Sequence, residues 1–369
     1  GNNPLSSKVI ELLKDNEVHK FLSKHKIREF DTYTKLRRNK SEELVSEYER
    51  SKKGIVGNLP RTLLYNLGEA YFRQGNYKKS IKLYDKFLKN HSKDISASKA
   101  RLRIALCYEL LGKDLNLVSK LYRNAIDRGS DVLDRFEASI RYVGVALLRK
   151  KDRISYSEAE SFLNIPKGIS STAINGDVKK ILWLTRLRSL IVAGKLGLAK
   201  DYFYELPLDK ISFEDRKVFF GDFSEILLGL MHESFNKKNH SEVIKLFSEL
   251  EKTENTYVPI RSAHYFIEAA SYLSLGVEKS SESSLIKAKK ISDTNVYPNW
   301  ISKSINNQIK HTIKVVRFNL ELANKKYSDA INIANGISDN QLRASLLLKV
   351  LEKKKDYKNY ISFSGRRNY

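Results

Sequence analysis

"LLYNLGEAYFRQGNYKKSIKLYDKFLKNH", residues Leu63 to His91, decides the fold. Leu64, Leu67, Gly68 and Tyr71 fall at helical spacing, and after the turn at "QGNY" Ser80, Tyr84 and Phe87 form a second inward stripe. The stretch therefore reads as two amphipathic helices hinged at Gly75-Asn76. Gly68 and Ser80 are small and let the helices approach closely, while the aromatic rings fill the space beside the crossing. Such a hairpin still leaves apolar surface for a neighbour, so the next test is whether the chain repeats it.

It does, with drift. "GEAYFRQG" (68–75) is echoed by "ALCYELLG" (105–112) and by "AASYLSLG" (269–276), each with a small residue first, Tyr fourth and Gly last. The second-helix pattern recurs as "NLVSKLYRNAI" (116–126), "LGLAKDYFYEL" (196–206), "SEVIKLFSEL" (241–250) and "YSDAINIANGI" (327–337). In the last of these Tyr327, Ala330 and Ala334 take the places of Tyr77, Ser80 and Tyr84. The first two units lie about 37 residues apart and later spacings wander, with "GISSTAING" (168–176) and "KTENTYVP" (252–259) as interruptions.

The hairpin resembles a tetratricopeptide repeat, whose pattern Leu64, Leu67-Gly68, Tyr71, Ser80 and Tyr84 fill in order. It departs from that pattern at Phe87, where Ala is usual, and at Ser92, where Pro is usual. The resemblance implies an all-α chain, a right-handed α-solenoid of antiparallel helix pairs. The expected layout is an N-terminal helical cap or interaction arm over 1–58, repeats over 59–338, and a closing helix with a basic tail over 339–369. Within the repeats the pattern is clearest over 61–126, degenerate over 132–165 and looser over 178–337.

Composition agrees with such a chain. At 369 residues it exceeds the usual single-core size, and an array grows without enlarging one core. Six prolines and seventeen glycines are few, which favours helices on short loops. Lys+Arg 67 against Asp+Glu 43 gives a net charge of +24, spread along the chain, and this attracts polyanions as well as keeping a surface solvated. No apolar run reaches the roughly 20 residues of a membrane helix; "ILWLTRLRSLIVAGKLGLA" (181–199) is broken by Arg186, Arg188 and Lys195. Cys107, the single cysteine, lies in an apolar helical pattern and reads as a buried small residue.

No motif for catalysis, metal or cofactor emerges, so no cofactor is expected. The seven histidines share no ligand spacing, and "HESFN" (232–236) has Asn236 where a zincin needs its second histidine. Gly194-Lys195 is preceded by Ser189 where a phosphate loop needs glycine, and no GxSxG occurs. "MHESFNKKNHS" (231–241) faintly resembles the Glu-Ser stretch of lytic transglycosylases, but the segment that should follow Glu233 is missing. A helical part of a peptidoglycan-acting enzyme is the minor alternative this leaves.

The resemblance implies instead a non-enzymatic scaffold that holds a protein partner along its first helices or its convex flank. Carried over residue by residue, the protein-binding groove comprises Tyr65, Glu69, Phe72 and Arg73 from one unit, and Lys99, Leu102, Leu106 and Glu109 from the next. Glu69 and Leu106 stand where a carboxylate clamp would place Asn, which argues against capture of a chain terminus. The alternative is a basic helical-repeat nucleic-acid binder, which the irregular spacing disfavours. Lys-, Asn-, Ile- and Ser-rich usage suggests an AT-rich, bacterial genome. The start at Gly1 leaves a trimmed leader open, so an envelope assembly, in the periplasm or at the membrane, is the expected setting.

Overall fold

The computed structural model describes residues 40–51, 61–149, 153–254, 260–290 and 303–355. The sequence-predicted helix over 6–31 and the basic tail lie outside these residues. Among them there are sixteen α-helices and no strand. They fall into two compact units that divide between Thr185 and Arg186.

The first unit opens with α1 (Ser41–Ser51), followed by the hairpin α2 (Arg61–Arg73) and α3 (Tyr77–Asn90). Next come α4 (Ala97–Leu110), α5 (Leu115–Arg128), α6 (Val132–Leu148) and the short α7 (Tyr156–Leu163). Each packs on its successor from α1 to α7, and α4 also touches α6, as stacked hairpins require. The predicted interruption at 168–176 holds a single 3-10 turn, Ser171–Ala173, before α8 (Gly176–Val192). The degenerate stretch 132–165 does hold two helices, α6 and α7, and the second has only eight residues.

The quoted hairpin closes as its sequence demands. Gly75 adopts φ +73°, its N–H donates to Phe72 O (3.0 Å), and Asn76 N–H donates to Tyr71 O (2.9 Å), which ends α2 in a left-handed cap. Inside, the Ser80 hydroxyl donates to Gly68 O at 2.9 Å. A Cβ on Gly68 would lie 2.8 Å from the Tyr84 ring, so this crossing tolerates no side chain there. Leu44 of α1 joins Leu64, Leu67, Tyr84, Phe87 and Ile104 in one core, so α1 covers the outer side of the first repeat. Tyr71 and Lys79 both reach back to Glu49 of α1.

Helix α4 is buried on two sides. Ala97, Ala100 and Ile104 belong to the core with α2 and α3, whereas Leu102 and Ala105 join Val118, Tyr122, Ala125 and Ala138 in the next. Cys107 is fully buried here, its sulfur 3.7 Å from the Ser80 hydroxyl, and burial pushes its thiol up to about 11.

The second unit holds α9 (Leu196–Glu205), α10 (Phe213–Asn236), α11 (His240–Glu254), α12 (Ser262–Ser274) and α13 (Glu278–Lys290). It continues with α14 (Lys303–Ala323), α15 (Tyr327–Asn335) and α16 (Asn340–Lys353). The α12–α13 hairpin repeats the hydrogen bond of the first one at its crossing: the Ser281 hydroxyl donates to Ala269 O at 2.7 Å, with the same twelve-residue separation as Ser80 and Gly68. The left-handed cap recurs as well, at Gly112, Gly194, Lys238, Gly276 and Lys325. In each case the next N–H donates to a carbonyl five residues back, from Lys113 to Tyr108 through Lys326 to Glu321. The predicted closing helix is α16, whose Leu346 and Val350 pack with Phe318, Ala330 and Ala334.

Candidate functional site

The residues named for the groove divide into two sets. Tyr65, Glu69, Phe72, Arg73 and Lys99 share one face built by α2 and α4, and α6 extends it. Leu102 sits instead among Val118, Tyr122 and Ala138, while Leu106, two turns after Lys99 on the same side of α4, is buried. The phase of Leu102 was illegible because α4 carries apolar residues toward both of the cores it joins. Glu109 is exposed and accepts the Tyr122 hydroxyl, so it serves its own hairpin.

Charge organises the face. Glu69 is buried, accepts the Tyr84 hydroxyl at 2.5 Å, and is gripped by Arg103 through Nε (2.8 Å) and Nη2 (3.4 Å). The Arg103 guanidinium also lies 4.4 Å above the Phe72 ring, a stacked and paired arrangement that lysine would not reproduce. Tyr65 packs its ring against Tyr84 and Phe87 at 5.8 and 5.6 Å. One turn before Arg103, Lys99 bridges Asp134 (3.1 Å) and Glu137 (3.2 Å) of α6, and Arg141 holds the other Glu137 oxygen at 3.1 Å. Opposite charges therefore alternate from α2 across α4 to α6.

The protonation states follow from this packing. Burial alone would raise the Glu137 carboxyl, but Lys99 and Arg141 outweigh it and hold it below its ordinary value. At Asp134 burial wins over Lys99 and the carboxyl is raised. Burial lowers the Arg103 guanidinium, and Glu69 more than reverses this, so Arg103 stays charged.

Beside the ladder lies a cavity of about 320 Å³. Lys99, Asp134 and Glu137 form its polar wall, and Leu133, Phe136, Ile174 and Val178 its apolar one. The Asp131 side chain, which caps α6 by accepting from Asp134 N–H at 2.8 Å, stands at its edge. Sequence reading found Lys99 but missed Arg103, Asp134, Glu137 and Arg141. The signal for them was the opposite charges that first helices of successive units carry at matching positions. Among the described residues no group of His, Cys, Asp and Glu could hold a metal ion, and no helix is long and apolar enough to cross a membrane.

This architecture, helical hairpins closed by one recurring cap and stacked so that first helices share a face, defines a class of array that binds other proteins. The family profile of the tetratricopeptide repeat matches residues 62–94, so the chain carries such a repeat at the quoted hairpin, within an otherwise all-helical fold. A solved structure of Naa15/Naa10 bound to HypK-THB aligns with 97% of this chain and 65% of its own, at 12% identity and a TM-score of 0.20. The chain thus spans 65% of the length of that structure's chain, and a score so low relates neither shape nor role. No curated protein matches the chain by sequence.

Proposed function

We propose that the chain is a non-enzymatic scaffold that holds a protein segment on the first-helix face of its amino-terminal unit, as part of a larger bacterial assembly. The cavity flanked by the charge ladder carries this reading. It joins an apolar wall at Leu133, Phe136 and Val178 to two carboxylates and one ammonium, which suits a side chain with an apolar stem and a hydrogen-bond donor at its tip. Arg103 and Glu69 keep the neighbouring surface rigid and pre-organised, which lowers the cost of ordering on binding. Lys-, Asn- and Ile-rich usage supports the bacterial setting.

The test is capture of partners from lysate of the source cells by the full chain and by a Leu133→Asp variant, at moderate and high salt, with and without nuclease. The expected result is a defined protein set that survives nuclease and salt and is lost with Leu133→Asp. Recovery of nucleic acid, with the proteins released by nuclease, would overturn the scaffold and make the charge itself the function, because phosphate contacts weaken steeply with salt.

A further inference from the structure

Helix α3 carries a feature that the first-helix face does not use. Its sequence, YKKSIKLYDKFLKN, holds five lysines and one carboxylate. Lys79 turns to Glu49 of α1 at 2.8 Å. Lys78, Lys82, Lys86 and Lys89 are exposed and make no ion pair among the described residues. At about 100° per residue these four fall within roughly 80° of one another, on the side of the helix opposite the buried Ser80, Tyr84 and Phe87. They form a straight stripe about 17 Å long at about 1.5 Å per residue.

Elsewhere in the described residues several basic side chains on helices are answered. Arg103 meets Glu69, Lys99 meets Asp134 and Glu137, Arg123 meets Asp127, and Lys200 meets Glu249. Unanswered like charges at i and i+4 cost helix stability. A stripe of four such lysines on one helix is therefore a surface that no carboxylate among the described residues complements.

We infer that the lysine stripe of α3 is a docking surface for an acidic protein segment, a helix or extended strand with carboxylates spaced about 6 Å apart. Lys78, Lys82 and Lys86 recur every fourth residue, and glutamates at the same interval on a partner helix meet them in register. Two observations separate this occupant from nucleic acid. The outward face of α3 shows no ring for base stacking, since Phe87 is buried and Tyr77 packs on Phe72 at 5.8 Å. Asp85 also stands at the edge of the stripe, exposed between Lys82 and Lys89, and a uniform phosphate backbone cannot answer it. A polypeptide with one basic residue among its acidic ones can, and the mixed pattern fixes its register. This surface is separate from the cavity, so the two readings stand or fall independently.

The experiment measures fluorescence anisotropy of two labelled probes on the full chain at low and physiological salt. One is a synthetic helical peptide with Glu at every fourth position and a single Lys, and the other an oligothymidylate of equal net charge. The chain is compared with a variant carrying Lys78→Gln, Lys82→Gln, Lys86→Gln and Lys89→Gln. A second variant removes equal charge elsewhere, with Lys210→Gln, Lys237→Gln, Lys279→Gln and Lys349→Gln. All eight positions are exposed, and unchanged helical circular dichroism verifies folding. The peptide should bind more tightly than the oligonucleotide, and the α3 variant should weaken it at least about tenfold while the second variant changes it little. Absence of peptide binding, equal loss in both variants, or tighter binding of the oligonucleotide would each overturn the proposal.

Discussion

At the scale of single residues, Gly68 is where the fold is least negotiable. Its hydrogen faces the Tyr84 ring, and a methyl in its place would stand 2.8 to 3.0 Å from three ring carbons. Tyr84 cannot step aside, because its hydroxyl is bonded to Glu69 and Glu69 is held by Arg103. Overpacking of this kind costs about 1 to 3 kcal/mol. Gly68→Ala should therefore lower the denaturant midpoint of the amino-terminal unit, with unchanged slope, and a Tyr84→Leu background should relieve part of the loss. The small residue at position 68 was legible in the sequence because its partner Tyr84 was too. Arg103 was not, since its role depends on Glu69, 34 residues earlier, and no local pattern carries that distance.

At the scale of elements, the joints repeat more faithfully than the helices. Six hairpins close with one left-handed residue and one long backbone bond, and four of them use glycine at that residue while Lys238 and Lys325 do the same with φ of 60° and 59°. A side chain in this region costs about 1 kcal/mol, which glycine avoids. Lys238→Gly should thus stabilise the carboxy-terminal unit by roughly 0.5 to 1 kcal/mol in thermal or chemical unfolding. These two joints also show why the sequence signal faded after residue 126. The backbone kept its turn while the residue that marks it changed, and the period shifted with each insertion. The face of α4 was lost for a different reason, because a helix packed by α3, α5 and α6 carries apolar residues toward more than one neighbour and only its few charged residues mark its phase.

At the scale of the molecule, the interior of the second unit stores acid. Burial pushes Asp222 up to about 6 and Glu225 up to about 7, although Arg188 and Arg261 pull each back down. Burial also pushes Glu268 up to about 7, with only the Ser284 hydroxyl and Lys287 opposing. A carboxyl raised in the folded state loses stability as pH climbs from its ordinary value near 4.5 to about 7, and the loss is complete above that. His264 works the other way: it is neutral and buried at about 4, its Nδ1 accepting from Arg261 N–H at 3.1 Å and its Nε2 3.0 Å from Ser224 O, so stability falls as pH drops below 6.5. Glu268→Gln should leave stability near pH 4.5 unchanged and raise it by on the order of 2 to 3 kcal/mol above pH 7, at about 1.4 kcal/mol per pH unit. Denaturant titrations across that range would check it, and a constant difference between the two proteins would refute it. The cysteine in the other unit has a more practical consequence. Because the sole native thiol is sealed beneath Ser80 and stays protonated at neutral pH, a cysteine introduced anywhere on the surface becomes the one reactive handle. Pairs of spectroscopic labels can then be walked along the array, joint by joint, in the otherwise unaltered native sequence.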